Sequence, residues 1–195
     1  MNASSSSGTE SPEPSRVWVE STGGPLIVVP VSRLVRWGGC TESGMVIGDT
    51  DAPDDYDRAC QVEVFAGLLA IDEQGAQALV LADEPASTCY LHEHRAFLRW
   101  LAADSETDLI AAAEAVLADP ASKWEECGTW ETDGPAVLID SASAGAELDV
   151  EFPGGGFPEQ AAVPLPVGKW TVRAFHAQVN ERASVGLVQL LPAGI

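Results

Sequence analysis

His92 and His94 stand two residues apart, a spacing that would aim both imidazoles to one side of a strand. His176 is the only other histidine. A zinc centre wants four ligands in tetrahedral array, and no Cys or carboxylate near the pair completes that spacing. The expectation is no metal site. Nucleophilic catalysis has no better footing: the chain lacks a G-x-S-x-G elbow, and no His stands beside a nucleophile. No catalytic residue is assigned. Asp49-Thr50-Asp51-Ala52-Pro53-Asp54-Asp55-Tyr56-Asp57 resembles a calcium loop only in charge, because Pro53 and Asp54 fall where a ligand and a turn glycine are required. Gly154-Gly155-Gly156 lacks the Lys-Ser/Thr of a phosphate loop. No cofactor is expected.

What remains for the aspartate run is protein recognition. Five like charges in nine residues repel one another unless a basic surface balances them. Tyr56 among them has the rigid, amphipathic form of an interface anchor. Asp51, Asp54, Asp55, Tyr56 and Asp57 are therefore the candidate partner-binding residues, against the plainer reading of a solvated loop with Tyr56 turned inward. Trp37 joins them, since Gly38-Gly39 and a long polar loop follow it and should leave it partly exposed. The other five tryptophans sit in or beside apolar strands and should pack in the core. Arg99 beside Trp100 suggests an ion pair to an aspartate.

Thirty Asp and Glu against ten Lys and Arg give a formal charge of −20. Nucleic acid and anionic membrane surfaces both select basic proteins, so neither is an expected partner. A basic protein is, with fast and salt-sensitive association. The plainer reading is an acidic protein kept soluble by its charge. No secretory signal or spanning segment is visible, which favours a soluble cytoplasmic protein. Cys40, Cys60, Cys89 and Cys127 should then be reduced thiols rather than disulfides.

These residues must be carried by a β-rich chain. Residues 1–16 read as a disordered tail of Ser, Gly, Pro and Glu. Residues 17–195 form one α+β domain, mostly antiparallel β-sheet with one prominent helix packed on it. Strands are expected at 17–19, 26–29, 62–71, 76–81, 89–92, 97–102, 124–131, 136–140, 148–152, 161–165, 170–179 and 185–191. A short helical turn is expected at 56–61. The helix, at about 105–118, is capped by Ser105 and buries Leu109, Ile110, Ala113, Val116 and Leu117, with Ala112 toward water. Two β-rich halves, 17–104 and 124–192, would flank it. Trp18 to Pro25 is similar to Trp130 to Pro135, and Ala78 to Pro85 to Gly186 to Pro192; chance similarity among apolar strands is the competing account.

One further pattern belongs to no chemistry. Trp18-x-Glu20-x-x-Gly23-Gly24-Pro25 runs into Leu26-Ile27-Val28-Val29-Pro30, followed by Trp37-Gly38-Gly39, Asp55-Tyr56-Asp57-Arg58-Ala59-Cys60, Asp83-Glu84-Pro85 and Arg99-Trp100. In this order the chain resembles the immunity-protein family numbered twenty-one of bacterial polymorphic-toxin systems, best over residues 17–140. The resemblance implies a protein encoded beside a toxin that it neutralises by stoichiometric binding, not an enzyme. The alternatives are an acidic adaptor for another basic protein, or an enzyme whose site is assembled from scattered residues.

Overall fold

The computed structural model describes residues 16–41, 53–82 and 84–194. Among the described residues, eleven strands form two antiparallel sheets. In chain order they are β1 (Trp18–Val19), β2 (Leu26–Pro30), β3 (Gly67–Ala70), β4 (Gln77–Leu81), β5 (Thr88–Leu91), β6 (Ala96–Ala103), β7 (Glu125–Thr132), β8 (Ala136–Asp140), β9 (Gln160–Val163), β10 (Gly168–Asn180) and β11 (Ala183–Pro192). Helices α1 (Asp55–Cys60) and α2 (Glu106–Ala118) and two 3-10 turns, Val31–Arg36 and His92–His94, complete the described elements. The first sheet runs β1-β5-β6-β11-β10-β7 and the second β3-β4-β2-β8-β9.

Period-two alternation sorts the strand residues into three cores. Leu26 and Val28, Leu79 and Leu81, and Leu138 meet Phe97, Trp130, Trp170, Val172 and Val188 between the sheets. The intervening Ile27, Val29, Ala78, Val80 and Ile139 face outward, where Trp37, Ala59 and Leu148 cover them. On the far side of the first sheet, Cys89, Leu98, Val185 and Leu187 pack under Leu109, Ala112, Ala113 and Val116 of α2. Both sheets are thus buried on both faces over much of their area, which is why strands such as β2 read as unbroken apolar runs.

Several expectations need correction. Val62–Ile71 is not one strand; only β3 pairs. The chain doubles back there, close enough that a Cβ on Gly67 would meet Val62 Cγ1 at 2.6 Å. Val62 packs outside the second sheet while Phe65 and Ala66 pack between the sheets, so the segment crosses from one layer to the other. Residues 148–152 form turns, because Leu148 alone finds a core and Val150 and Phe152 do not. His92–His94 is a 3-10 turn ending at Arg95 with φ 46°. In α2 the cap is as expected, with Ser105 Oγ accepting from Asp108 N at 3.1 Å. Its buried face differs: Ala112 is 3% exposed, while Ile110 and Leu117 lie at the margins.

The strand order has a symmetry of its own. β1-β5-β6 and β7-β10-β11 enter the first sheet from opposite edges and meet at the β6–β11 pair; β4-β2 and β9-β8 meet likewise at β2–β8. β1 and β7 therefore hold corresponding places, each leading through Gly-Pro into a central strand of the second sheet. Trp18 and Trp130 do not correspond in detail, since Trp18 packs on the α2 side and Trp130 between the sheets. The similarity of Ala78–Pro85 to Gly186–Pro192 has no counterpart here, because β4 and β11 lie in different sheets.

Candidate functional site

The sequence motifs converge at one end of the second sheet. Gly39 sits at φ +65°, and a Cβ there would lie 2.5 Å from Ala142 O, so only glycine fits both the backbone and the space. This bend turns Trp37 inward. The expectation of partial exposure is wrong: Trp37 is 1% exposed, and its Nε1 donates to Ser141 O at 3.0 Å. Gly145 N donates to Trp37 O at 2.9 Å and Cys40 N to Ala142 O at 3.0 Å, clamping the bend to the loop after β8. Trp37 is a core residue beneath the site and presents no surface to a partner.

The aspartates beside it are tied inward as well. Asp54 caps α1, accepting from Asp57 N at 2.8 Å, while Asp57 Oδ2 accepts from Asp54 N at 3.3 Å in a reciprocal box. The other Asp54 oxygen accepts from Thr41 N at 2.8 Å and Thr41 Oγ1 at 3.1 Å. Burial pulls the Asp54 carboxyl upward, but these donors outweigh it and hold the group below its ordinary value. Asp55 accepts from Gly38 N at 2.8 Å and from Arg58 Nη1 at 2.8 Å. Repulsion among these aspartates is therefore offset by N–H donors and one guanidinium, which the charge count alone did not reveal. Asp51 lies outside the described residues.

Tyr56 is partly buried with its ring against Gly24, where a Cβ would meet Tyr56 Cε2 at 2.5 Å. The second glycine of the Gly-Gly-Pro motif is thus a seat for the tyrosine of the Asp-Tyr-Asp motif. A hydrogen bond between the Tyr56 hydroxyl and Cys60, together with burial and nearby acidic groups, pushes the phenol up to about 12. Burial, then the charges of Asp54, Asp57 and Cys60, raises the Cys40 thiol. All four cysteines are free.

One residue that the sequence did not single out completes the arrangement. Asp140, 5% exposed at the end of β8, accepts from Thr22 N at 2.6 Å, Thr22 Oγ1 at 2.8 Å and Ala142 N at 2.8 Å. It joins the first motif to the loop that clamps Trp37. The signal was a carboxylate closing an apolar strand just before Ser-Ala-Ser. Glu84 and Pro85 line a shallow depression with Gly23, Gly24, Ala59 and Cys60, so parts of three motifs share one surface. Arg99, 3% exposed on β6, holds that rim by donating to the carbonyls of Ala82 and Glu84. Its guanidinium thus serves backbone oxygens on either side of Asp83, which lies outside the described residues.

The histidines do not assemble. His92 stacks edge-on against Tyr90, and His176 against Phe65. Among the described residues no group of three or more His, Cys, Asp and Glu side chains is placed to hold a metal ion. No described helix is long and apolar enough to cross a membrane.

Comparison with known proteins agrees with the motif pattern. The family model described as Immunity protein 21 matches residues 17–183, and the chain belongs to that family. No curated protein and no solved structure matches it.

Proposed function

We propose that this member of the Immunity protein 21 family neutralises a cognate bacterial toxin by binding it one to one in the cytoplasm, without turnover. The family match across residues 17–183 carries the reading. The charge of −20 supports a basic toxin surface as the target, because complementary fields speed encounter and disfavour wrong partners. The acidic segment around α1, with Asp54, Asp55, Tyr56 and Asp57 and the neighbouring Asp51, is a source of that field. Asp54, Asp55 and Asp57 accept internal hydrogen bonds, so they would act through charge at a distance as well as by contact.

Titrating the purified chain into an assay of the toxin encoded by the neighbouring gene tests this directly. Activity should fall linearly to a break at equimolar protein, and the association rate should drop as salt rises past about 0.15 M, where the screening length is about 8 Å. Inactivation by substoichiometric protein would indicate catalysis, and toxin activity unaffected at tenfold excess would remove the immunity reading.

A further inference from the structure

The turn after Leu148 is built in a way that neither folding nor the α1 segment explains. Leu148 is 4% exposed in the core outside the second sheet, and Pro158 is buried at the other end. Between these fixed points Phe152 N donates to Gly156 O at 2.8 Å and Gly155 N to Phe152 O at 2.8 Å, closing a tight loop. Gly155 and Gly156 have φ of +90° and +86° with open space around them, so glycine is there for the backbone rather than for room. Glu159 Oε2 accepts from Glu20 N at 2.7 Å, pinning the base of the turn to the first motif.

What this frame presents is apolar. Phe152 is 51% exposed, Phe157 56% and Val150 57%. A single exposed apolar side chain means little, but two phenylalanines flanking one closed turn concentrate apolar surface that folding leaves in water. Glu147, Asp149, Glu151 and Glu159 surround them in sequence, and no Lys or Arg occurs between Lys123 and Lys169.

We infer that the Phe152–Phe157 turn is an apolar anchor for the toxin, and that the toxin surface it enters is an apolar pocket rimmed by Lys and Arg. The inference rests on the proposed immunity function and names the contact that function would use. Charge selects the occupant: a second copy of the chain would bring another −20 against the same acidic rim, and anionic lipid or nucleic acid would be repelled likewise. A basic protein is attracted by the rim and buries the rings. Because the turn is already closed, little ordering entropy opposes its docking. Carboxylates set the encounter rate, and the phenylalanines set how long the complex lasts.

The test uses the full chain and a catalytically inactive form of the toxin domain encoded by the neighbouring gene, immobilised for kinetic binding. Phe152→Ala and Phe157→Ala should leave the thermal melt unchanged, since both rings stand outside the core. Each should weaken binding by about 30-fold or more, mainly through faster dissociation, as hot-spot aromatics do. Phe152→Leu should keep most of the affinity. Glu151→Gln should slow association and leave dissociation nearly unchanged. If wild type binds and the double alanine variant binds equally well, the turn is not the anchor and the immunity reading stands. Sedimentation showing a wild-type dimer abolished by the same substitutions would assign the turn to a second copy and overturn the inference. If wild type forms no complex, the immunity reading and the anchor fall together.

Discussion

The residues named by the aspartate run are used twice, and the inward use constrains experiment. Asp54 is both a source of negative field and the cap of α1, so neutralising it removes a helix cap along with a charge; alanine at such a position typically costs about 1 kcal/mol. Charge-steering tests are cleaner at Glu151, outside any helix cap. Tyr56 gives a sharper check of the packing. The chain has two tyrosines, and both phenols are raised to about 12, Tyr56 first by its bond with Cys60 and Tyr90 by burial. In the unfolded chain a phenol ionises near 10. The stability each contributes is therefore intact below about pH 10 and lost as pH climbs toward 12. Absorbance at 295 nm should stay flat through pH 10.5 in the native protein and rise only with alkaline unfolding. A reversible native titration centred near 10 would show that at least one of the two phenols lacks the surroundings described, and Tyr56→Phe would tell which.

At the scale of elements, α2 is the place where pattern and packing can be separated. Leu109 is fully buried, and Leu109→Ala should cost roughly 2–5 kcal/mol in denaturant melts. Ala112→Glu should also be severely destabilising, because it drives a carboxylate into the α2–sheet contact, whereas Ala111→Glu on the exposed face should stay within about 0.5 kcal/mol. Near neutrality of Ala112→Glu would mean that the helix is rotated. Periodicity alone places Ala112 toward water because it weights large side chains, whereas a small residue fits where helix and sheet approach most closely. The same physics explains what else was legible. β8 and the Ser105 cap stand out because an apolar run between turn residues and a cap before a helical repeat are local signals. Val62–Ile71 is misleading because Val62 and Phe65 serve different layers, which no period reports. The burial of Trp37 is not legible in the sequence because it depends on Gly39 meeting Ala142, a contact between residues about a hundred positions apart. Of the two phenylalanines, the sequence reading reaches only Phe152, as the end of a strand over 148–152; the cue for the turn is Phe-Pro on both sides of three glycines, in a stretch without a positive charge.

At the scale of the whole molecule, the last strand of the chain is not peripheral. β11 lies between β6 and β10 at the centre of the first sheet, paired to both along most of its length, and Val185, Leu187, Val188 and Leu190 contribute to the cores on its two sides. Truncation after Asn180 should abolish cooperative unfolding and toxin neutralisation together, since it parts the two groups of strands that meet there. A truncated chain that still melted in one sharp transition would contradict the strand order.

That order also sets a schedule for the ribosome. Until residues 183–192 leave the exit tunnel, β6 has an open side and β10 lacks one of its two neighbours, so the growing polypeptide carries an unfilled slot in the middle of its sheet rather than at a rim. Neither group of strands can close the sheet alone, and the slot stays open until residues 183–192 have emerged.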